Sequence, residues 1–161
     1  MKMRKIQILL MVLIFGITQL HAQQKDIPVS QLPEEVKQVL NEYLNILSTS
    51  ADIDEAADRF LAIAGGGLVN PEGTALRSSV KPYSLKKDFD NIGFYKVPAE
   101  ISRVAKTQTG QSGYGESALA GDWYKVYIAK KNGGQPAPVH IVFPKNHPTI
   151  KSPKVIQGGS F

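Results

Sequence analysis

Trp123-Tyr-Lys-Val-Tyr-Ile-Ala-Lys-Lys-Asn-Gly-Gly-Gln-Pro-Ala-Pro-Val-His-Ile-Val-Phe143 is the stretch that decides the fold. Trp123–Lys131 and Pro138–Phe143 are short runs rich in Val, Ile and aromatic residues, which predicts two strands. Asn132-Gly133-Gly134 between them is a chain reversal, and a link this short joins only antiparallel neighbours. Side chains alternate along a strand, so Tyr124, Val126 and Ile128 share one face, and Trp123, Lys125, Tyr127 and Ala129 share the other. In the partner strand Val139, Ile141 and Phe143 line one face, with His140 and Val142 opposite. One face must meet helices. The second is apolar enough for another protomer, a protein partner or a ligand to cover it, although a half-exposed Trp and Tyr at a wet surface would need no partner.

Outward from the hairpin, Asn146-His147-Pro148 turns the chain into a strand over Ile150–Gln157, with His147 expected in solvent. Val97–Thr107 reads as another strand upstream, which makes four. Between Thr107 and Leu119, Gly110-Gln-Ser-Gly113-Tyr-Gly115 reads as a flexible loop that carries Tyr114, a place for binding specificity. Further back the period changes. Val36, Val39, Leu40, Tyr43, Leu44 and Leu47 recur at steps of three and four, the mark of a helix with one buried face; Ser30 is expected to cap it, with Pro33 in its first turn. A second helix starts at Asp52, with Glu55 at capping-box spacing, and Ile53, Ala56, Ala57, Phe60 and Leu61 form its stripe up to a stop at Gly65-Gly66-Gly67. Residues 68–83 read as a connection with a short strand around Ala75–Val80. Ser84 then starts a short third helix with Leu85, Asp88, Phe89 and Ile92, ending at Gly93. Helices first and a meander afterwards predict an α+β domain with N-terminal helices packed on an antiparallel sheet.

The 161 residues suffice for one core, and a 42% hydrophobic share with 20% charged residues is not the composition of a disordered chain. Lys2, Arg4 and Lys5 before an apolar run over Ile6–Ile17 predict a secretory signal over residues 1–22, cut after Ala22, with a single domain over 23–161. An uncleaved anchor is the alternative, but that run is about 12 residues, short of the roughly 20 a span needs. No stable span is expected in 23–161. The protein is therefore expected in the periplasm or outside the cell. Cysteine is absent, which excludes disulfides, thiol chemistry, Cys-ligated metals and the lipid attachment of a lipoprotein. Without the three signal bases, 16 bases face 14 acids, a net +2 rather than +5. Residues 32–60 are acidic and residues 61–161 basic, but the bases are scattered, which excludes a nucleic-acid surface.

The helical pattern, the segment Asp-Ile-Asp-Glu-Ala-Ala-Asp-Arg-Phe-Leu at 52–61, and a meander ending Lys-Val-Ile-Gln-Gly-Gly-Ser-Phe at 154–161 together resemble the nuclear-transport-factor-2-like superfamily. The resemblance is one of layout over roughly residues 30–161. It implies a cone, with helices wrapped on the concave face of a curved sheet, a central pocket between them, and a convex face that often dimerises. Enzymes of that superfamily, such as ketosteroid isomerases, scytalone dehydratases and polyketide cyclases, carry an acid–base pair in the pocket. Other members only bind.

Outside the signal only His140 and His147 titrate near neutrality. An isomerase, dehydratase or cyclase would use His140 as base, with Asp122 or a tyrosine as helper. A lone strand histidine is more often structural or on the outer face. Glu100, Glu116 and Asp122 make a weak case for a glycosidase pair, and Asp52, Asp54, Glu55 and Asp58 read as a charged helix start rather than a metal site. No Gly-x-Ser-x-Gly or dinucleotide motif occurs. No metal or cofactor is expected. The leading expectation is an exported, non-enzymatic domain that binds a small apolar ligand or a protein partner, dimeric through its sheet, with Tyr43, Tyr114, Trp123, Tyr124, Tyr127 and His140 as binding residues.

Overall fold

The computed structural model describes residues 24–107 and 110–161. The predicted signal over 1–22 and its cut lie outside them. The chain is α+β, with strands β1 (Lys25–Ile27), β2 (Ile101–Thr107), β3 (Gln111–Ser112), β4 (Leu119–Ile128), β5 (Ala137–Pro144) and β6 (Lys154–Gln157), and helices α1 (Glu34–Thr49), α2 (Ile53–Leu61) and α3 (Lys86–Asn91). The sheet runs β1-β2-β4-β5-β6 and is antiparallel and open, with β3 pairing the start of β4. Among the described residues six strands form, where four were expected after residue 96 and a fifth, short one around Ala75–Val80. β1 and β3 are too short to show a period, and each is created by its partner: Lys25–Ile27 by the distant Val104–Lys106, and Gln111–Ser112 by the nearby Leu119–Ala120.

α1 buries Val36, Val39, Leu40, Tyr43, Leu44, Ile46 and Leu47, the expected stripe plus Ile46. Its cap is Pro33 rather than Ser30. Pro33 accepts the Val36 and Lys37 amides through its carbonyl, while Ser30 is taken up in a 3-10 turn over Val29–Gln31. Glu34 and Glu35 supply the negative charge that the first turn favours. In α2, Asp52 Oδ1 accepts the Asp54 and Glu55 amides, each at 2.9 Å, as expected of a cap. That helix ends at Leu61, before the glycines. Residues 65–67 instead let the chain pass close to Ser112 and Leu119, and Gly66 takes φ +55°.

The strand expected at Ala75–Val80 does not form. The Asn70 side chain folds this segment into a turn by accepting the Thr74 and Ala75 amides, leaving one bridge, Val69 to Leu76. Helical structure then begins at Val80 as a π-turn through Leu85 and runs into α3, so Ser84 lies inside the run rather than at its start. β2 begins at Ile101 rather than Val97, because Pro98 has no amide to give a ladder.

The core lies between α1, α2 and the inner face of the sheet, where Val104, Tyr124, Val126, Ile128, Val139, Ile141 and Val155 are buried. The β4–β5 register, from Gly121 opposite Pro144 to Ile128 opposite Ala137, is unbroken, so the predicted faces hold along its length. The chain after α2 protects the β6 edge: Gly65 donates to the Val155 carbonyl and Val155 donates to Ile63. Among the described residues no helix is long and apolar enough to cross a membrane.

Candidate functional site

The register divides the predicted residues between two faces. Asp122, Tyr124 and Val126 alternate onto the inner face, whereas His140 stands opposite Lys125 and projects outward. The sheet therefore separates His140 from Asp122, so that pairing of base and helper does not assemble, while Tyr127 shares the outer face with His140. His140 also lies across the sheet from Tyr43.

On the inner side, Asp122 accepts Lys106 Nζ at 2.8 Å and Lys145 Nζ at 2.6 Å. Burial pushes its carboxyl up, but the two ammonium groups outweigh that and hold it below the ordinary range. A carboxylate fixed in this way is a poor proton acceptor. Tyr124 is buried beneath Lys106, whose nitrogen lies 5.4 Å from the ring centre. Tyr43 is wholly enclosed, packs on Phe60 at 5.0 Å, and gives its hydroxyl to Asp88 Oδ2 at 2.6 Å. Tyr43 and Tyr124 thus serve as core residues in this conformation.

On the outer side the face has two parts. Towards one end Leu119, Val142 and Ile156 form a buried cluster, flanked by Ile150 and Trp123, so the chain itself covers this apolar area. Trp123 is half-buried, and the Gly110 backbone lies so close to its ring that a Cβ there would fall 2.3 Å from the indole. Towards the other end Tyr127, Lys125, His140 and Arg103 are open to solvent to varying degrees. The Arg103 guanidinium lies over the Tyr127 ring at 4.1 Å and donates to the Tyr127 hydroxyl at 2.8 Å. Lys125 Nζ is 5.3 Å from the same ring. Asp26, on the adjoining edge strand, is 3.7 Å from Arg103. Burial, then the Lys125 charge, push His140 down to about 4, so its imidazole is neutral at physiological pH.

Tyr114 is 72% exposed, as a loop tyrosine should be, but its surroundings are pinned. Ser112 Oγ accepts the Gly67 amide at 2.8 Å, and Gly113 (φ +84°) passes against the Gly66 backbone, where no side chain would fit. His147 is buried rather than exposed. Its Nδ1 accepts the Ile150 amide at 2.9 Å and its Nε2 donates to the Glu116 carbonyl at 2.9 Å, so the imidazole ties the turn to the loop beneath it.

Sequence patterning does not single out two groups of residues. Arg103 and Lys125 read as scattered charge, although alternation places Lys125 on the same face as Tyr127. Asp88 is fully buried, and a carboxylate on an otherwise apolar helical stripe was the available signal. Burial raises its pKa against the opposing pull of the Tyr43, Gly159 and Phe161 donors and the Lys87 charge. Among the described residues no three His, Asp or Glu side chains converge as a metal site would require. Surface clefts of about 340 Å³ beside α2 and about 370 Å³ near Lys154 are lined by none of the predicted binding residues. Family models, curated proteins and solved structures yield no match to this chain.

Proposed function

We propose that the chain is an exported, non-enzymatic binding module of the cone-shaped nuclear-transport-factor-2-like kind, which pairs with a second copy of itself across the outer face of its sheet. The observation that carries this reading is the open patch of Tyr127, Arg103, Lys125 and His140. Tyrosine and arginine are the residues that dominate protein interfaces, and here they are stacked and held in place before any partner arrives. A two-fold interface must be self-complementary. Arg103 and Asp26 have half or more of their side-chain area exposed, so each copy offers both signs at the rim of one patch. His140, neutral beside Lys125, adds no charge to be desolvated. The occupied inner face favours association over ligand capture, because Tyr43, Phe60, Tyr95 and Phe161 take up the space where an apolar ligand would sit.

Sedimentation equilibrium of the mature chain over a wide concentration range tests this. A reversible monomer–dimer equilibrium that weakens with added salt is expected, since the rim contacts are ionic. A chain that stays monomeric at every concentration overturns the proposal.

A further inference from the structure

Residues 158–161, after β6, lie along α3 as a bound peptide lies in a receptor. Asp88 Oδ2 accepts the Gly159 amide at 2.6 Å, and Oδ1 accepts the Phe161 amide at 2.8 Å. Lys87 Nζ donates to the Gly159 carbonyl at 3.0 Å, and Asn91 Nδ2 reaches the Phe161 carbonyl at 3.4 Å. The Phe161 ring stacks on Tyr95 at 4.4 Å and tilts against Tyr43 at 6.1 Å. One short helix therefore reads the main chain of the segment, and two tyrosines read its aromatic side chain.

The selectivity of the slot is visible in what it leaves no room for. A Cβ on Gly158 would lie 2.7 Å from the Tyr43 hydroxyl and 2.9 Å from Asp88 Oδ2, and Gly159 takes φ +86° with Ser84 Cβ 2.8 Å from where its own Cβ would stand. Asp88 is fully buried and draws two of its three donors from this segment, so departure removes two of the carboxylate's hydrogen bonds. The Tyr95 hydroxyl is also buried and has no hydrogen-bond partner among the described residues, so the ring that stacks on Phe161 keeps a polar atom its present neighbour does not use. Beside Gly158 and Gly159 a cleft of about 620 Å³, lined by Tyr83, Lys86, Lys87 and Asn91, gives the segment an open side through which to leave.

We propose that α3, with Tyr43 and Tyr95, forms a peptide-binding slot for glycine-glycine-x-aromatic segments, and that residues 158–161 are its resident ligand, exchangeable for the same segment supplied in trans. The site is distinct from the outer sheet face and does not depend on dimerisation. The probe is acetyl-Gly-Gly-Ser-Phe-amide added to the Gly159→Pro chain, in which the resident segment loses its amide to Asp88 and cannot reach the required φ. The peptide is expected to bind saturably and to raise the melting temperature towards that of the parent. The Phe-to-Ala peptide should bind about tenfold more weakly or worse, because it lacks the ring that stacks on Tyr95. Absence of binding to the folded variant, or equal binding of both peptides, overturns the proposal. If the variant does not fold, hydrogen exchange on the parent chain decides. Amides of Gly159 and Phe161 that exchange by local opening, well before those of Val126 and Val139, support a detachable ligand, whereas exchange only on global unfolding makes the segment part of the core and overturns the slot.

Discussion

Burial, with Lys125 standing directly across the β4–β5 ladder, makes His140 a pH-sensitive residue. With its pKa lowered from about 6.5 in the unfolded chain to about 4 in the fold, His140 takes up a proton more readily when unfolded. Its contribution to stability is therefore present above about pH 6.5 and is lost progressively as pH falls towards 4. Asp88 works in the opposite direction: burial raises its carboxyl, so protonation relieves a buried charge and its share of stability grows as pH falls. Denaturant unfolding followed from pH 7 to pH 4 should thus show His140→Gln gaining stability relative to the parent as pH falls, and parallel profiles for parent and variant would refute the assignment. The core makes a simpler case. Leu40 and Ile141 are fully buried on facing layers, so Leu40→Ala and Ile141→Ala should each cost about 2–5 kcal/mol. Unfolding midpoints that do not move would contradict that packing.

At the scale of elements, Asp52 gives the sharpest test. Its carboxylate accepts two amides of the first turn of α2, so Asp52→Ala should destabilise by about 1 kcal/mol, measured by chemical denaturation against an exposed control such as Glu72→Ala. That cap was legible because it is local: a carboxylate followed three residues later by Glu55, ahead of an apolar stripe. The α1 stripe and the alternation of Tyr124, Val126 and Ile128 were legible for the same reason, each being a period within one element. What could not be read were features made by distant partners. Lys25-Asp26-Ile27 becomes a strand only because Val104–Lys106 is there to pair with it. His147 looked like a wet turn residue because nothing nearby indicates that the Glu116 carbonyl would meet its Nε2. The outer patch was half legible: alternation placed Tyr127 and His140 together, but Arg103 joins them only through the β2–β4 register, in which it stands opposite Tyr127.

For the whole molecule, the consequential division is between a filled inner layer and an outer face closed at one end by Trp123, Ile150 and Val142 and open at the other around Tyr127. Tyr127→Glu puts a second charge under Arg103 without touching the core. It should shift the sedimentation profile to monomer while leaving stability within about 0.5 kcal/mol, the range of surface substitutions. A dimer that survives this change would move the interface off the sheet. The edge strand also has a consequence for how the chain reaches this form. β1 pairs with residues about 80 positions further along, so a chain emerging amino end first from a ribosome carries those amides unmatched while both long helices and the first central strand are still being synthesised. Its ladder can close only once β2 has been made, and β4, β5 and β6 are added to the sheet after that. For that interval the three residues of β1 present an unpaired edge.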